Sequence, residues 1–439
     1  MGASELPGYS PSTDVPDYVE EPQEDEQRLE FVERIPASSG QGVNFRYRSG
    51  GITLTLQGLQ AGTNVPTFAR DAVVQGRIET SEEDVRSVAV KLEGKQSVTV
   101  YLEDTLTAES TLFSNVHDLW KKQGSGTCPS ELSFSIPFPT AYKDKDRTLP
   151  LPSSFRGAYR GGPTIFAFLR YSVTVVVSKK RFASWEKQKT LSQVIAYRPR
   201  SRAPLAIPRN PPVVISADQI HTDWQDIASS MPARGSGFGP IECHFFVPKA
   251  QTFAITDSIP FSLHLRAPVD HLDKLLGSTT SDTPGNNDGE ASTSRALPSP
   301  TTTPTSPKGF LRNPVSRLAN IVRVKDAGEP KFGVRVYLER RLGSEIYGQL
   351  AWQSREIGEA ELTKVAAQNR AEAGAYVWTG EARCRPLAVS VGGFSTSAFT
   401  VKDSIVLVIT PVDQDKSPWA THKYTHPIKL VTDPYQTEL

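Results

Sequence analysis

The chain has 439 residues, with 49 Lys and Arg against 48 Asp and Glu, a formal net charge of +1. That balance speaks against a dedicated nucleic-acid binder, which carries a large basic excess, and the length allows about three average domains. Hydrophobic residues make up only 38% and Pro reaches 34, so part of the chain is expected outside any packed core.

Residues 1–43 read as an acidic, disordered tail. Ten Asp and Glu stand against two Arg between Met1 and Arg34, and such a segment buries too little surface to offset its ordering entropy. From Asn44 the pattern turns to period two. Ile52, Leu54 and Leu56 alternate with polar residues, then Val88, Val90 and Leu92, then Val98, Val100 and Leu102. Leu132, Phe134, Ile136 and Phe138 follow, and Tyr171, Val173, Val175 and Val177 close the set. Alternation in short runs parted by Gly, Pro, Asp and Ser predicts antiparallel strands with one buried face, hence a β-sandwich over 44–200. Residues 116–122 have the only helical flavour in this half, a turn or two.

The segment 201–240 is dense in proline, which suits a connector better than a central strand. Val213–Ile215 is its one candidate edge strand. Alternation resumes at Ile241 and runs through Phe253, Ile259, Phe261, Leu263 and Leu265. It continues through Phe332, Val334, Val336 and Leu338 to Ile405, Leu407 and Ile409, a second sandwich over 241–435. Residues 355–373, rich in Ala and Glu, read as a helix or a long loop. Ser278–Pro307 interrupts this half. Ser, Thr and Pro fill 19 of its 30 positions, a low-complexity insert expected to be disordered. A weak internal repeat is visible, since Phe68-Ala69-Arg70-Asp71 and Phe253-Ala254-Ile255-Thr256-Asp257 each place an aromatic and a turn-forming Asp before a strand.

Three segments carry candidate function. In the tail, Leu6-Pro7-Gly8-Tyr9 has the form of a WW-domain ligand. The Pro sets a polyproline II backbone and the Tyr ring reaches the same aromatic groove two residues on. Val15-Pro16-Asp17-Tyr18 repeats the shape with Val in the first position. The WW-ligand candidates are therefore Leu6, Pro7, Tyr9, Pro16 and Tyr18. Between residues 179 and 209, nine basic residues face only Glu186, a net +8. Lys179, Lys180 and Arg181 head this stretch and are candidates for binding anionic lipid or a phosphorylated tail, or else are solvated loop charges. The acidic tail is a possible partner for the same stretch. In the insert, Thr283, Ser299, Thr303 and Ser306 each precede Pro and suit proline-directed phosphorylation, which adds about −1.5 to −2 charge per site.

Enzyme chemistry finds no foothold. Neither a P-loop nor a Gly-x-Ser-x-Gly elbow occurs. His422 and His426 are four apart on a strand pattern, about 13 Å, too far to share one metal. Gly235-Ser236-Gly237-Phe238-Gly239 is glycine-rich but no helix follows it, so it reads as a hinge. Cys128, Cys243 and Cys384 show neither metal nor disulfide spacing and read as reduced structural thiols. Thus no catalytic residue, metal or cofactor is expected. No run of about 18 apolar residues predicts a membrane span, and the acidic N-terminus is unlike a signal peptide, so a cytoplasmic protein is expected.

Four stretches resemble the arrestin superfamily, and within it the fungal arrestin-related trafficking adaptors. Val65 to Gly76 looks like the family's early turn, leading through Asp71 to a strand with Gly. Val85 to Gly94 is similar to its next strand, which ends in Gly. Leu151-Pro152-Ser153-Ser154-Phe155, with Tyr171-Ser172-Val173-Thr174-Val175 after it, resembles the Pro–Ser–Phe turn and the Tyr-led strand. Asp403-Ser404-Ile405 and His426 to Val431 look like the closing strands. The resemblance spans roughly 44–435 and implies two tandem arrestin-type antiparallel β-sandwiches. It implies a non-enzymatic adaptor that binds cytosolic tails of plasma-membrane transporters or receptors. Such an adaptor recruits a WW-domain HECT ubiquitin ligase, and acts peripherally at the plasma membrane or endosomes. An arrestin-fold sorting scaffold of the retromer type, without a ligase, is the alternative within the fold. A carbohydrate-binding β-sandwich protein is the alternative outside it.

Overall fold

A computed structural model describes residues 43–58, 65–180, 186–213, 222–235, 237–277, 333–365 and 374–436. The architecture is all-β, with one short helix among the described residues. No helix there is long and apolar enough to cross a membrane.

The first sandwich opens with β1 (Val43–Ser49), β2 (Ile52–Gly58), β3 (Thr67–Phe68) and β4 (Val73–Thr80). The long hairpin β5 (Val85–Tyr101) and β6 (Thr105–Lys121) follows, then β7 (Glu131–Pro137), β8 (Ala141–Asp144) and β9 (Arg147–Pro150). It ends with β10 (Phe155–Tyr159), β11 (Thr164–Lys180) and β12 (Glu186–Tyr197). One sheet has the order β1-β2-β4-β7. The other runs β3-β12-β11-β5-β6, with β10 sharing an edge of β11. Alternation sets the faces. Ile165, Ala167, Leu169, Tyr171, Val173, Val175 and Val177 of β11 are all 2% exposed or less, because successive side chains point to opposite sides.

The second sandwich comprises β13 (Trp224–Met231), β14 (Ile241–Pro248), β15 (Thr252–Ala254), β16 (Ser258–Arg266) and α1 (Val269–Leu276). Then come β17 (Gly333–Ile346), β18 (Gln349–Lys364), β19 (Ala375–Cys384), β20 (Phe394–Ser395), β21 (Phe399–Thr410) and β22 (His422–Val431). Nine of these strands form one path, β13-β14-β16-β19-β18-β17-β21-β22-β15, and β20 pairs with β21 off it. The sheet curls until Ser229 on β13 meets His422 on β22, Oγ to Nε2 3.1 Å.

Three segments differ from expectation. Residues 116–121 are the end of β6, an exposed edge strand whose polar outer face imitates a helix pattern. Residues 355–364 belong to β18, paired with β17 on one side and β19 on the other. Two neighbouring strands override the helix preference of Ala and Glu there, and 366–373 lie outside the described residues. The segment expected as a connector contains β13, whose buried Trp224, Ile227 and Met231 are spaced three and four apart and so hide the strand period. Val213 is not in a strand, and the other residues of that candidate edge lie outside the described residues.

The internal repeat is a repeat of structure. β3 pairs in parallel with β12, the last strand of its sandwich, and β15 pairs in parallel with β22, the last strand of the other. Phe68 and Phe253 are buried in the two cores. A tight turn follows each, with Ala72 N donating to Ala69 O and Asp257 N to Ala254 O. The glycines within β4 and β5 have packing reasons. A Cβ on Gly76 would sit 2.6 Å from the Phe134 ring, and one on Gly94 would sit 2.7 and 2.8 Å from the Phe113 and Tyr171 rings.

Candidate functional site

The structure brings the head of the basic stretch to one end of the β5–β11–β12 sheet. Register places Lys179 opposite Lys187 and Lys180 opposite Glu186. The loop after β4 carries Glu82 to the same end. Lys179 Nζ donates to Glu82 Oε2 at 2.5 Å and Lys189 Nζ to Oε1 at 2.6 Å, while Lys189 also reaches Gly50 O at 3.2 Å. Hydrogen bonds from Lys179 and Lys189 hold the Glu82 carboxyl below its ordinary value. So one of the three candidate cations, Lys179, is already neutralised. Lys180 and its neighbour Lys187 are exposed and form no ion pair among the described residues. Arg181 lies outside the described residues. Further along, Arg198 donates to Ser390 O at 3.1 Å and Arg200 pairs with Asp433. These charges tie the chain just after β12 to the second sandwich instead of facing solvent alone. The sequence window hid these partners because they lie about a hundred or more residues away.

The WW-ligand residues Leu6, Pro7, Tyr9, Pro16 and Tyr18 and the phosphorylation candidates Thr283, Ser299, Thr303 and Ser306 lie outside the described residues.

The Pro–Ser–Phe turn is a junction. Ser153 Oγ donates to Tyr197 O at 3.0 Å, Tyr197 N donates to Ser154 Oγ at 2.8 Å, and the buried Tyr171 hydroxyl donates to Pro152 O at 2.5 Å. This fixes Phe155, whose ring meets Phe394 and Phe399 of the second sandwich at centroid distances of 5.3 and 5.7 Å. Beside this contact lies a pair that sequence reading did not reveal. Arg340 and Asp403 face each other across β17 and β21, with Nε–Oδ1 2.6 Å and Nη2–Oδ2 2.8 Å, and both side chains are at most 2% exposed. Burial pulls the guanidinium pKa down, but the Asp403 charge and hydrogen bonds outweigh it, and the net direction is up. The signal was faint, since Arg340 stands between Glu339 and Arg341 and Asp403 between Lys402 and Ser404, so each reads as one more residue of a solvated polar run.

The histidines His422 and His426 point separately. His422 meets Ser229, and His426 Nε2 is buried without a hydrogen-bond partner. Burial lowers the pKa of both, and of His264, whose Nε2 lies 2.9 Å from Pro212 O. Cys243 and Cys384 are pushed up to about 11 by burial, a setting of inert thiols. No metal-holding cluster of His, Cys, Asp and Glu occurs among the described residues.

The described residues therefore present a sheet end carrying Lys179, Lys180, Lys187 and Lys189, two sandwiches with shared apolar packing, and β6 as a long edge strand. No protein-family model matches the chain, and no curated protein matches it.

Proposed function

We propose that the chain is a non-enzymatic adaptor of arrestin type that holds cytosolic parts of membrane proteins and recruits a WW-domain HECT ubiquitin ligase to them. The observation that carries this reading is the Leu6-Pro7-Gly8-Tyr9 ligand in front of two tandem β-sandwiches. The tail would supply the ligase contact and the sandwich body the cargo contact. Lys180 and Lys187, beside the neutralised Lys179, are the cations best placed to meet an anionic membrane surface or an acidic cargo segment.

A ring, a proline and a few backbone contacts bind weakly, on the order of tens of micromolar. Titration of a tandem WW fragment against the full chain tests the reading. Wild type should bind in that range, Tyr9→Ala should lose most of the binding, and Tyr18→Ala should lose less. A wild-type chain that does not bind, or a Tyr9→Ala chain that binds equally, overturns ligase recruitment in favour of a ligase-free sorting scaffold.

A further inference from the structure

A cavity of about 290 Å³ in the second sandwich is bordered by Gly277, after α1, and Gly333, at the start of β17. Its wall is set by strand register. Lys364 near the end of β18 lies directly opposite Trp378 of β19, and Tyr376, two residues from Trp378, shares that face. The two rings stand edge to face, centroids 6.1 Å apart at 83°. Asp273 of α1 closes the box by accepting the Tyr376 hydroxyl proton, and Leu276, Val334 and Leu362 supply apolar surface.

The box already holds a cation. Lys364 Nζ lies 3.6 Å from the Tyr376 ring centre and 5.9 Å from that of Trp378, within cation–π range of both. Lys364 forms no ion pair among the described residues, and neither does Asp273. Among the described residues the ammonium is therefore held by the two rings, on an exposed side chain at a strand end, and the Asp273 carboxylate is tied to the same box through the Tyr376 hydroxyl. Aromatic faces flanked by a carboxylate select an alkylated ammonium over a bare one, because methylation keeps the charge and lowers the cost of leaving water. The volume sits at the lower end for small-ligand sites, enough for a single head group.

We propose that this cavity is a recognition site for a methylated lysine side chain of a partner protein, with the Lys364 ammonium as its internal stand-in. A peptide-borne side chain is favoured because the present occupant is one, entering along its own alkyl stem. The partner's trimethylammonium would displace Lys364 into solvent and sit against Tyr376, Trp378 and Asp273.

The test uses the full chain, a short peptide carrying trimethyllysine, choline as the bare head group, and 3,3-dimethylbutanol as its neutral isostere, read by ligand-detected NMR and calorimetry. The peptide and choline should bind and the neutral isostere should not. Lys364→Met, which removes the competing charge and keeps the stem, should tighten peptide binding roughly fivefold. Tyr376→Leu and Asp273→Asn should each weaken it, with melting curves confirming that both variants are folded. Equal binding of the neutral isostere, no gain in Lys364→Met, or unchanged binding in both weakening variants overturns the site. Tyr376-dependent binding to phosphatidylcholine vesicles without binding to the peptide overturns the assignment to a protein partner.

Discussion

The two sandwiches share a repeat but not a degree of independence. The buried core of the second runs from Ile227 to Leu430, with Ile207 of the connector packed against it, and takes in no residue of the first sandwich. The core of the first takes in Leu342, Ile346, Ala351, Phe399 and Val401, which belong to β17, β18 and β21 of the second. The long β17–β18 hairpin and the β20–β21 corner reach out of their own sheet and fill the end of the neighbouring one. Polar ties follow the same line, with Gln96 donating to Ser397 Oγ at 2.8 Å and Gln353 to Arg160 O at 2.9 Å. A short connector alone would let two domains swing. Shared apolar core makes them one body, since packed interiors do not deform continuously.

The largest effects should come from the shared core and the pair beside it. Asp403→Ala leaves Arg340 buried without its counter-charge and should cost about 3–5 kcal/mol in urea unfolding. The double replacement Arg340→Met with Asp403→Leu should recover most of that loss, because an apolar pair of similar volume needs no compensation. Phe399→Ala should cost about 3–5 kcal/mol and should lower amide-exchange protection in β10 and β11 as well as in β21. Leu92→Ala, in the first core only, should cost about 2–5 kcal/mol and leave protection of β14 and β16 unchanged.

Much of this asymmetry was illegible in the sequence, for physical reasons. Alternation at Val173–Val175–Val177 and at Ile405–Leu407–Ile409 fixes strands and faces, because period two is a local property. The Ser278–Pro307 insert stands out by composition. Which core receives Leu342 or Phe399 depends on how sheets curl, and no local pattern encodes it. The same holds for Glu82, which seats between Lys179 and Lys189, and for the cation box of Lys364, Tyr376 and Trp378, which needs the β18–β19 register. The strand over 355–364 was hidden because its neighbours, not its composition, decide its state.

Acid should separate the two sandwiches next. His264, His422 and His426 all belong to the second or its packing, and burial depresses each folded pKa below the ordinary value near 6.5. The unfolded chain then binds more protons, so their contribution is full above about pH 6.5 and is lost as pH falls through the depressed values. Glu82 in the first sandwich follows the carboxylate sign, with its contribution full above about 4.5 and lost below. Hydrogen exchange at pH 7 and 5.5 should therefore show loosening around β16 and β22 while the Glu82 end of β11 stays closed. The smallest effect should be that of Ser397→Ala, which removes one partner of Gln96 and should cost about 1 kcal/mol.

The most direct measurement is to make the halves separately, residues 43–203 and residues 204–436, and to follow each by near-ultraviolet circular dichroism and cooperative thermal unfolding. Residues 204–436 should melt cooperatively alone, whereas residues 43–203 should lack a sharp transition until the second half is added. Independent cooperative unfolding of residues 43–203, with a midpoint matching that of the intact chain, would contradict the borrowed core.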